Sequence, residues 1–281
     1  MKSSLSDDLR AYPAPPDLKE VWDRAAARLG PCADRLHCLS TVTSTNDLAL
    51  RLADAGASEG TTLLAETQTA GRGRRGREWF SPPGSGIYAS VIFRPVHADQ
   101  RPHAATWLTS RVTLAAGVAL AEGVRASTAL PVELKWPNDL VFQRRKVGGI
   151  LTEMATTPSN GPAVIVGIGI NVRATSYPTE LAAAATSIET ELGRPIDRAL
   201  VLVETLSALV ARYEDLRAGR WDAILTAWRG LARSLPGAAI EWDGPAGMTH
   251  GYAIDIDRDG ALLAQTDDGI ARLVAGEVRW R

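Results

Sequence analysis

Net charge is almost absent from this chain. Lysines and arginines number 31 against 32 aspartates and glutamates, for a formal charge of −1. A protein that gripped nucleic acid or an anionic membrane over its whole surface would be basic, so any basic function must be local. Cysteine is nearly absent too. The two present, Cys32 and Cys38, flank His37 at a spacing unlike the usual zinc patterns. A disulfide between them stays open beside the expected reading of two reduced, structural thiols. No apolar run reaches about 18 residues, which excludes a membrane-spanning helix. No secretory signal is legible, so a cytoplasmic location is expected. Internal repeats, low-complexity tracts and a helix-turn-helix are also missing. What remains is ordinary for a globular chain of 281 residues: 45% hydrophobic and 22% charged, enough for one large domain and one small one.

Against that neutral background one stretch stands out, residues 67–90, TQTAGRGRRGREWFSPPGSGIYAS. Residues 72–77 hold four arginines interleaved with Gly73 and Gly76, directly after Gly71. Arginine offers a rigid fork of donors that fits phosphate and carboxylate oxygens. Like charges this dense repel one another unless an anion sits among them, so a loop that orders on an anionic ligand is expected. Trp79 and Phe80 could close over such an anion. The competing reading is a solvated basic turn, or an RNA-binding arginine–glycine segment.

The chain around this loop reads as α/β. Residues 17–29 carry apolar residues at helical spacing with Asp17 as a candidate cap. A strand at 35–42 leads into Ser44-Thr45-Asn46, residue types that cap helices and can also contact a ligand. Strands at 61–66 and 87–93 bound the arginine loop, the first delivering Gln68 into it. A core helix spans 103–126. A short strand at 132–135 ends in Lys135-Trp136-Pro137-Asn138-Asp139, where proline stops the ladder. A hairpin follows (140–142, a turn at 143–145, then 146–154) whose second strand contains Gly148 and Gly149. The strand at 164–172 contains Gly167 and Gly169 and ends in Asn171. After an alanine-rich loop (177–186) come two amphipathic helices, at 197–218 and 219–230. Five short alternating strands then lie at 239–242, 250–256, 261–265, 270–274 and 278–281. Turns at Asp243-Gly244, Asp259-Gly260 and Asp268-Gly269 separate them.

Five polar or glycine-rich signals thus fall at strand ends: STN, Q-x-x-GRGRRGR-x-W, KWPND, K-x-GGIL and GIGIN. In this order, ahead of a small terminal barrel, they resemble the biotin protein ligase family over residues 35–281. The resemblance implies an α/β (α+β) fold: a mixed sheet with packed helices, class II synthetase-like, followed by an SH3-like β-barrel. It implies an N-terminal extension at 1–34, a catalytic domain at 35–234 and the barrel at 235–281. The activity implied is ATP-dependent activation of biotin as biotinyl-5′-AMP, followed by transfer to a lysine of a biotin carrier domain such as that of acetyl-CoA carboxylase. ATP and Mg²⁺ would be the co-substrate and cofactor.

Residue by residue, the resemblance implies that Ser44, Thr45 and Asn46 hydrogen-bond the ureido ring, with Gln68 nearby. Gly71, Arg72, Gly73 and Arg74 would bind biotin and the adenylate. Lys146 would be the chief catalytic cation, with Arg74 and Asp139 beside it. Gly149 and Leu151 would line the biotin tail, Trp79 would cover it, and Asn171 would bond adenine. Asn138 and Asp139 would hold Mg²⁺, and Lys135 is a further candidate for phosphate. Arg75 and Arg77 are left between solvent and the carrier domain. No tryptophan follows Asn171 to cover the adenine, and Tyr177 is the candidate in its place. Without a winged helix, DNA binding is not expected; nor is membrane binding, and a homodimer stays open. The rivals are a lipoate or octanoate ligase of the same fold and a non-catalytic nucleic-acid binder.

Overall fold

The computed structural model describes residues 12–95, 104–157, 161–175, 177–244 and 247–281. Seven strands make the larger sheet: β1 Leu36–Val42, β2 Thr62–Gln68, β3 Gly86–Phe93, β4 Glu133–Lys135, β5 Asp139–Phe142, β6 Arg145–Thr157 and β7 Gly161–Asn171. Their order is β1-β2-β3-β7-β6-β5-β4. Among the described strands of this sheet only β1 and β2 run parallel, and the other pairs are antiparallel. A parallel pair needs a crossover. Of the helices α1 Pro16–Arg24, α2 Ala26–Leu29 and α3 Thr45–Asp54, it is α3 that supplies it.

Both faces of the sheet are covered, which is why β3 is buried at all eight positions and reads as a continuous apolar run. Alternation along the strands sorts the two faces. Ile87, Ala89, Val91 and Phe93 of β3 join Val164, Val166 and Ile168 of β7 in the main core, under the long helices α4 Ala104–Thr128 and, later in the chain, Arg198–Arg217. Leu63, Ala65, Ile92 and Ile165 point the other way, into a smaller core under α3. The pairing register places Ser90 opposite Gly167, Leu151 opposite Gly167 and Gly149 opposite Gly169 on that second face. A bare strip of sheet results beside the N-terminus of α3.

The hairpin between β5 and β6 turns on Gln143 and Arg144, both left-handed at φ 48° and 66°. Two short helices flank the end of β7 beyond its loop, α5 Thr179–Ala182 and α6 Ile188–Leu192, followed by α7 Arg198–Arg217 and α8 Trp221–Leu231. Neither α5 nor α6 was expected. Each is too short for helical periodicity to show, and α6 is set by its ends instead. The Ser187 side chain accepts from the Thr190 N–H, and Gly193 closes the C-terminus in a left-handed conformation. A second correction concerns Asp17. The first helix starts at Pro16, a residue preorganised for a first helical turn, so Asp17 lies inside the helix and Pro15 precedes it without a side-chain cap.

Five strands form the second sheet: β8 Ala239–Gly244, β9 Gly247–Ile256, β10 Leu262–Thr266, β11 Gly269–Leu273 and β12 Val278–Trp280, in the order β11-β10-β9-β8-β12. All its pairs are antiparallel, as an SH3-like barrel requires. The expected turn at Asp243-Gly244 belongs to β8, because both residues pair with β9. The barrel is joined to the larger sheet through one continuous core. Buried indole N–H groups stitch the seam: Trp136 donates to Gly260 O at 3.0 Å and Trp221 to Arg258 O at 2.6 Å.

Candidate active site

The strand-to-helix junction after β1 is both a cap and the end wall of a slot. Ser44 caps α3, its hydroxyl accepting from Asp47 N–H at 3.4 Å. Ser44, Thr45 and Asn46 are each at most 4% exposed, so their polar atoms need partners within the protein. Gln68 Oε1 accepts from Thr45 N at 2.9 Å and Thr45 Oγ1 at 3.1 Å, while its Nε2 donates to Ser81 Oγ at 2.9 Å. Ser81 Oγ in turn donates to Trp79 O at 3.0 Å. Asn46 Nδ2 donates to Leu151 O at 3.2 Å and Glu153 Oε2 at 2.8 Å, and its Oδ1 accepts from Ser90 Oγ at 2.7 Å.

The glycines of the bare strip exist to let these groups approach. A Cβ on Gly167 would lie 2.1 Å from Asn46 Oδ1, and one on Gly169 would lie 2.4 Å from the Trp79 indole. At Gly71 a Cβ would meet Trp79 O at 2.6 Å and Gln68 Nε2 at 2.8 Å. Close packing against the sheet and lining of the slot are therefore one role, not two.

The arginine loop is folded on itself rather than open. Arg72 bridges to Glu78, Gly73 N–H donates to Arg77 O at 2.7 Å, and Trp79 N–H donates to Gly71 O at 2.8 Å. Its tip turns at Arg75 and Gly76, with φ of 58° and 75°. The expected self-repulsion is answered by acids from distant parts of the chain. Arg72 Nε pairs with Asp47 at 2.8 Å and Arg72 NH2 with Glu153. Arg77 meets Glu277 of the barrel through two hydrogen bonds, one of them 2.6 Å, and Arg75 lies 3.6 Å from Asp243. Arg75 and Arg77 thus contact the barrel, which the sequence reading did not foresee. These three arginines are each matched to an acid rather than left as bare cations.

Arg74 and Lys146 lie at the seam between two cavities. Arg74 NH1 donates to Asn138 Oδ1 at 3.0 Å. Burial pulls its guanidinium below the usual arginine range, the nearby Asp139 opposing. It remains charged at any physiological pH. Lys146 Nζ sits 2.6 Å from Asp139 Oδ1 and 5.2 Å from the centre of the Trp79 ring. Burial also lowers Lys135, with Asp139 raising it and Lys146 lowering it further. Partly desolvated cations clustered in a cleft mark a place built for an anion.

Trp79 divides the cleft. On one side a slot of about 50 Å³ runs among Thr45, Asn46, Gln68, Gly149, Leu151 and Gly167, with Lys146 and Arg74 at its mouth. On the other a basin of about 320 Å³ is lined by Lys135, Asp139, Lys146, Asn171, Tyr177 and Glu277 among others. Two buried polar atoms here lack a hydrogen-bond partner, Trp79 Nε1 and the Tyr177 hydroxyl. Tyr177 packs against Phe80 at 6.3 Å between ring centres, and burial raises its phenol to about 12. Asn171 lines the basin with its amide donating to Thr186 O at 3.0 Å and Lys146 O at 3.3 Å.

A protein-held Mg²⁺ at Asn138 and Asp139 does not fit this geometry. Asn138 uses Oδ1 for Arg74 and Nδ2 for Ile150 O, at 2.8 Å, and Asp139 faces the Lys146 ammonium. Among the described residues no group of three or more His, Cys, Asp or Glu side chains could hold a metal ion. Both cysteines are free and buried. Four residues in the site were given no ligand or partner role by the sequence reading: Asp47, Ser81, Ser90 and Glu153, with Glu277 joining them from the barrel.

A narrow slot ended by hydrogen-bonding side chains, opening past fixed cations onto a wider basin, is the arrangement of an enzyme that activates a carboxylic acid with a nucleotide. Comparison with known proteins makes the class specific. Residues 38–171 match the biotin/lipoate A/B protein ligase family, and residues 243–279 match the biotin protein ligase C-terminal domain. The biotin–[acetyl-CoA-carboxylase] ligase of Mycobacterium tuberculosis is 36% identical over 251 residues, covering 87% of this chain and 88% of that one. The bifunctional ligase/repressor BirA of Bacillus subtilis is 36% identical over 271 residues, covering 96% of this chain and 81% of the relative. Among solved structures, the biotin protein ligase from Aquifex aeolicus in complex with biotin and ATP superposes with a TM-score of 0.74 at 30% identity, covering 88% of this chain and 98% of that one. The chain belongs to the biotin protein ligase family. Among the described residues no helix is long and apolar enough to cross a membrane.

Proposed function

We propose that this protein is an ATP-dependent ligase that converts biotin to biotinyl-5′-AMP and passes the biotinyl group to a lysine of a biotin carrier domain. The observation that carries the proposal is the seam itself: Lys146 and Arg74 border both the slot and the basin. An acid lying in the slot would present its carboxylate where a nucleotide in the basin presents its α-phosphate. A carboxylate oxygen attacks the α-phosphorus, the bond to the bridging oxygen breaks, and pyrophosphate leaves. In the second half-reaction the amine of the acceptor lysine attacks the acyl carbon, AMP leaves with the bonding pair, and the amine loses a proton.

Negative charge accumulates in both steps, so fixed cations in a water-poor site supply the main stabilisation. Lys146 is oriented for it by Asp139, and Arg74 by Asn138. Ser44, Thr45, Asn46 and Gln68 hold the ring of the acid, Gly149 and Leu151 its tail, and Trp79 closes the wall between the two ligands. Gly71, Arg72 and Gly73 bring the loop backbone over the acid, and Asn171 with Tyr177 borders the adenine. Magnesium we assign to the nucleotide, as the counter-ion of its phosphates, rather than to ligands of the protein. The catalytic unit is assigned to 35–234, with the barrel at 235–281 and an extension at 1–34.

A lipoate or octanoate ligase shares the first family description, but the polar end wall of the slot and the C-terminal barrel favour biotin. The test is incubation with ATP, biotin and an unmodified carrier domain, read by intact mass. Addition of one biotinyl group that depends on the acceptor lysine supports the proposal. An unmodified carrier alongside efficient lipoyl transfer would replace it with the lipoate reading.

A further inference from the structure

Glu153 lies at the meeting point of the slot and the arginine loop, and no step of the chemistry above uses it. Strand alternation from Gly149 through Leu151 puts its carboxylate on the face that carries the slot. There it accepts from Asn46 Nδ2 at 2.8 Å and from the Arg72 guanidinium, which also holds Asp47 at 2.8 Å. The two ends of an amide side chain differ only in what they bond, so the neighbours decide which end faces where. For Asn46 they decide unambiguously. Leu151 O and the Glu153 carboxylate accept only, and both face Nδ2. The end left over, Oδ1, lies against Gly167 and shares the single hydroxyl proton of Ser90 with Thr45 Oγ1, at 2.7 and 2.8 Å. One lone pair of that oxygen remains for a ligand.

We propose that Glu153 is a positioning residue that sets the acid specificity of the slot, by turning Asn46 so that an acceptor oxygen faces the bound ring. The inference rests on the biotin reading and deepens it. A slot ended this way favours an acid whose distal ring offers an N–H, as a cyclic urea does, over one whose ring carries only sulfur and carbon. Because the same carboxylate holds Arg72, it also ties the loop that covers the acid to the wall that reads it. Ionised glutamate can only accept, whereas glutamine can donate as well. With glutamine at 153 only Leu151 O, at 3.2 Å, still holds Asn46 Nδ2, so the side chain is less firmly turned and the discrimination weakens.

The experiment measures adenylation by pyrophosphate release in the full-length protein and in Glu153→Gln, with biotin and ATP varied in turn. Loss of a hydrogen bond to a charged group corresponds to about a ten- to hundredfold change, and it is expected in the KM for biotin. The kcat at saturating biotin should stay within about threefold, and the KM for ATP should not move, because the ring contact is made equally in ground and transition states. The preference for biotin over lipoate should fall with the same factor. Parallel increases in both KM values would mean general loosening of the site and would overturn the role; so would a lowered kcat with an unchanged KM for biotin. If Glu153→Gln does not fold, Glu153→Asp serves, since it keeps an accept-only carboxylate drawn back by one methylene. It should show a smaller rise in the biotin KM with the ATP KM constant, and a joint rise would again refute the proposal. Wild-type protein that releases no pyrophosphate with biotin would sink the biotin reading itself, an outcome separate from a wild type that works beside an indifferent Glu153→Gln.

Discussion

Replacing Gly167 by alanine should damage stability and acid binding together. The added Cβ would stand 2.1 Å from Asn46 Oδ1, 2.8 Å from its Cγ and 3.0 Å from its Nδ2. Asn46 cannot yield cheaply, because it is 4% exposed and hydrogen-bonded to Ser90, Leu151 and Glu153. Overpacking of this kind costs about 1–3 kcal/mol. Breaking the bond to Glu153 adds about 1.5–3 kcal/mol. The sum, roughly 3–6 kcal/mol, is a large part of the stability of an ordinary domain. Its lower end corresponds to a Tm fall of roughly 6–12 °C for a chain near this size. Gly169→Ala is the control. Its Cβ strikes the Trp79 indole at 2.4 Å, a ring whose Nε1 has no hydrogen bond to lose. Its Tm should fall less, while the wall between slot and basin is lost. Differential scanning calorimetry and biotin titration of both variants decide the matter. A Gly167→Ala protein with wild-type Tm and biotin affinity would show that the contact with Asn46 is not tight in solution.

Three further outcomes follow from the same geometry. Lys146→Ala should slow adenylation on the order of 100-fold, comparable to losing one oxyanion donor, and near-normal pyrophosphate release would remove Lys146 from the chemistry. Arg74→Gly should slow adenylation yet let the adenylate it forms escape, so serum albumin present in the assay becomes biotinylated more than in a wild-type control; equal labelling would exclude a role for Arg74 in holding the adenylate. Burial raises both thiols, Cys32 and Cys38, to about 11 from an ordinary value of 9.0. Folded-state values above the unfolded ones mean that the thiols' stabilising contribution is intact below pH about 9 and is lost as pH rises toward about 11. Tm measured across that window should fall, and the fall should be shallower in Cys32→Ala/Cys38→Ala; identical slopes would contradict the assignment.

Much of the fold was legible because its strands are buried on both faces. β3 and β7 are apolar runs too short for helices and bounded by turn residues, and the paired glycines of β6 and β7 announced a close approach to the backbone. The strand-end motifs were legible as well, since proline at 137 and glycine at 71 punctuate them locally. What sequence could not supply was partnership at long range. Arg77 and Glu277 are 200 residues apart, so nothing local assigns that arginine to the barrel rather than to solvent. Ser90 sits inside an apolar run, and its place against Asn46 depends on the register between β3 and β7. Glu153 could have been found: alternation from Gly149 places residues 149, 151 and 153 on one face, and a carboxylate there needs a partner. The helix α6 was missed because one turn and a half carries no period.

Isotope exchange between pyrophosphate and ATP tests the central claim most directly, because it reports the first chemical step alone and needs no carrier domain. With labelled pyrophosphate, ATP and Mg²⁺, the account predicts that label enters ATP only when biotin is present, and that the exchange collapses in Lys146→Ala. Exchange that runs equally well without biotin, or none at saturating biotin and ATP, would contradict it.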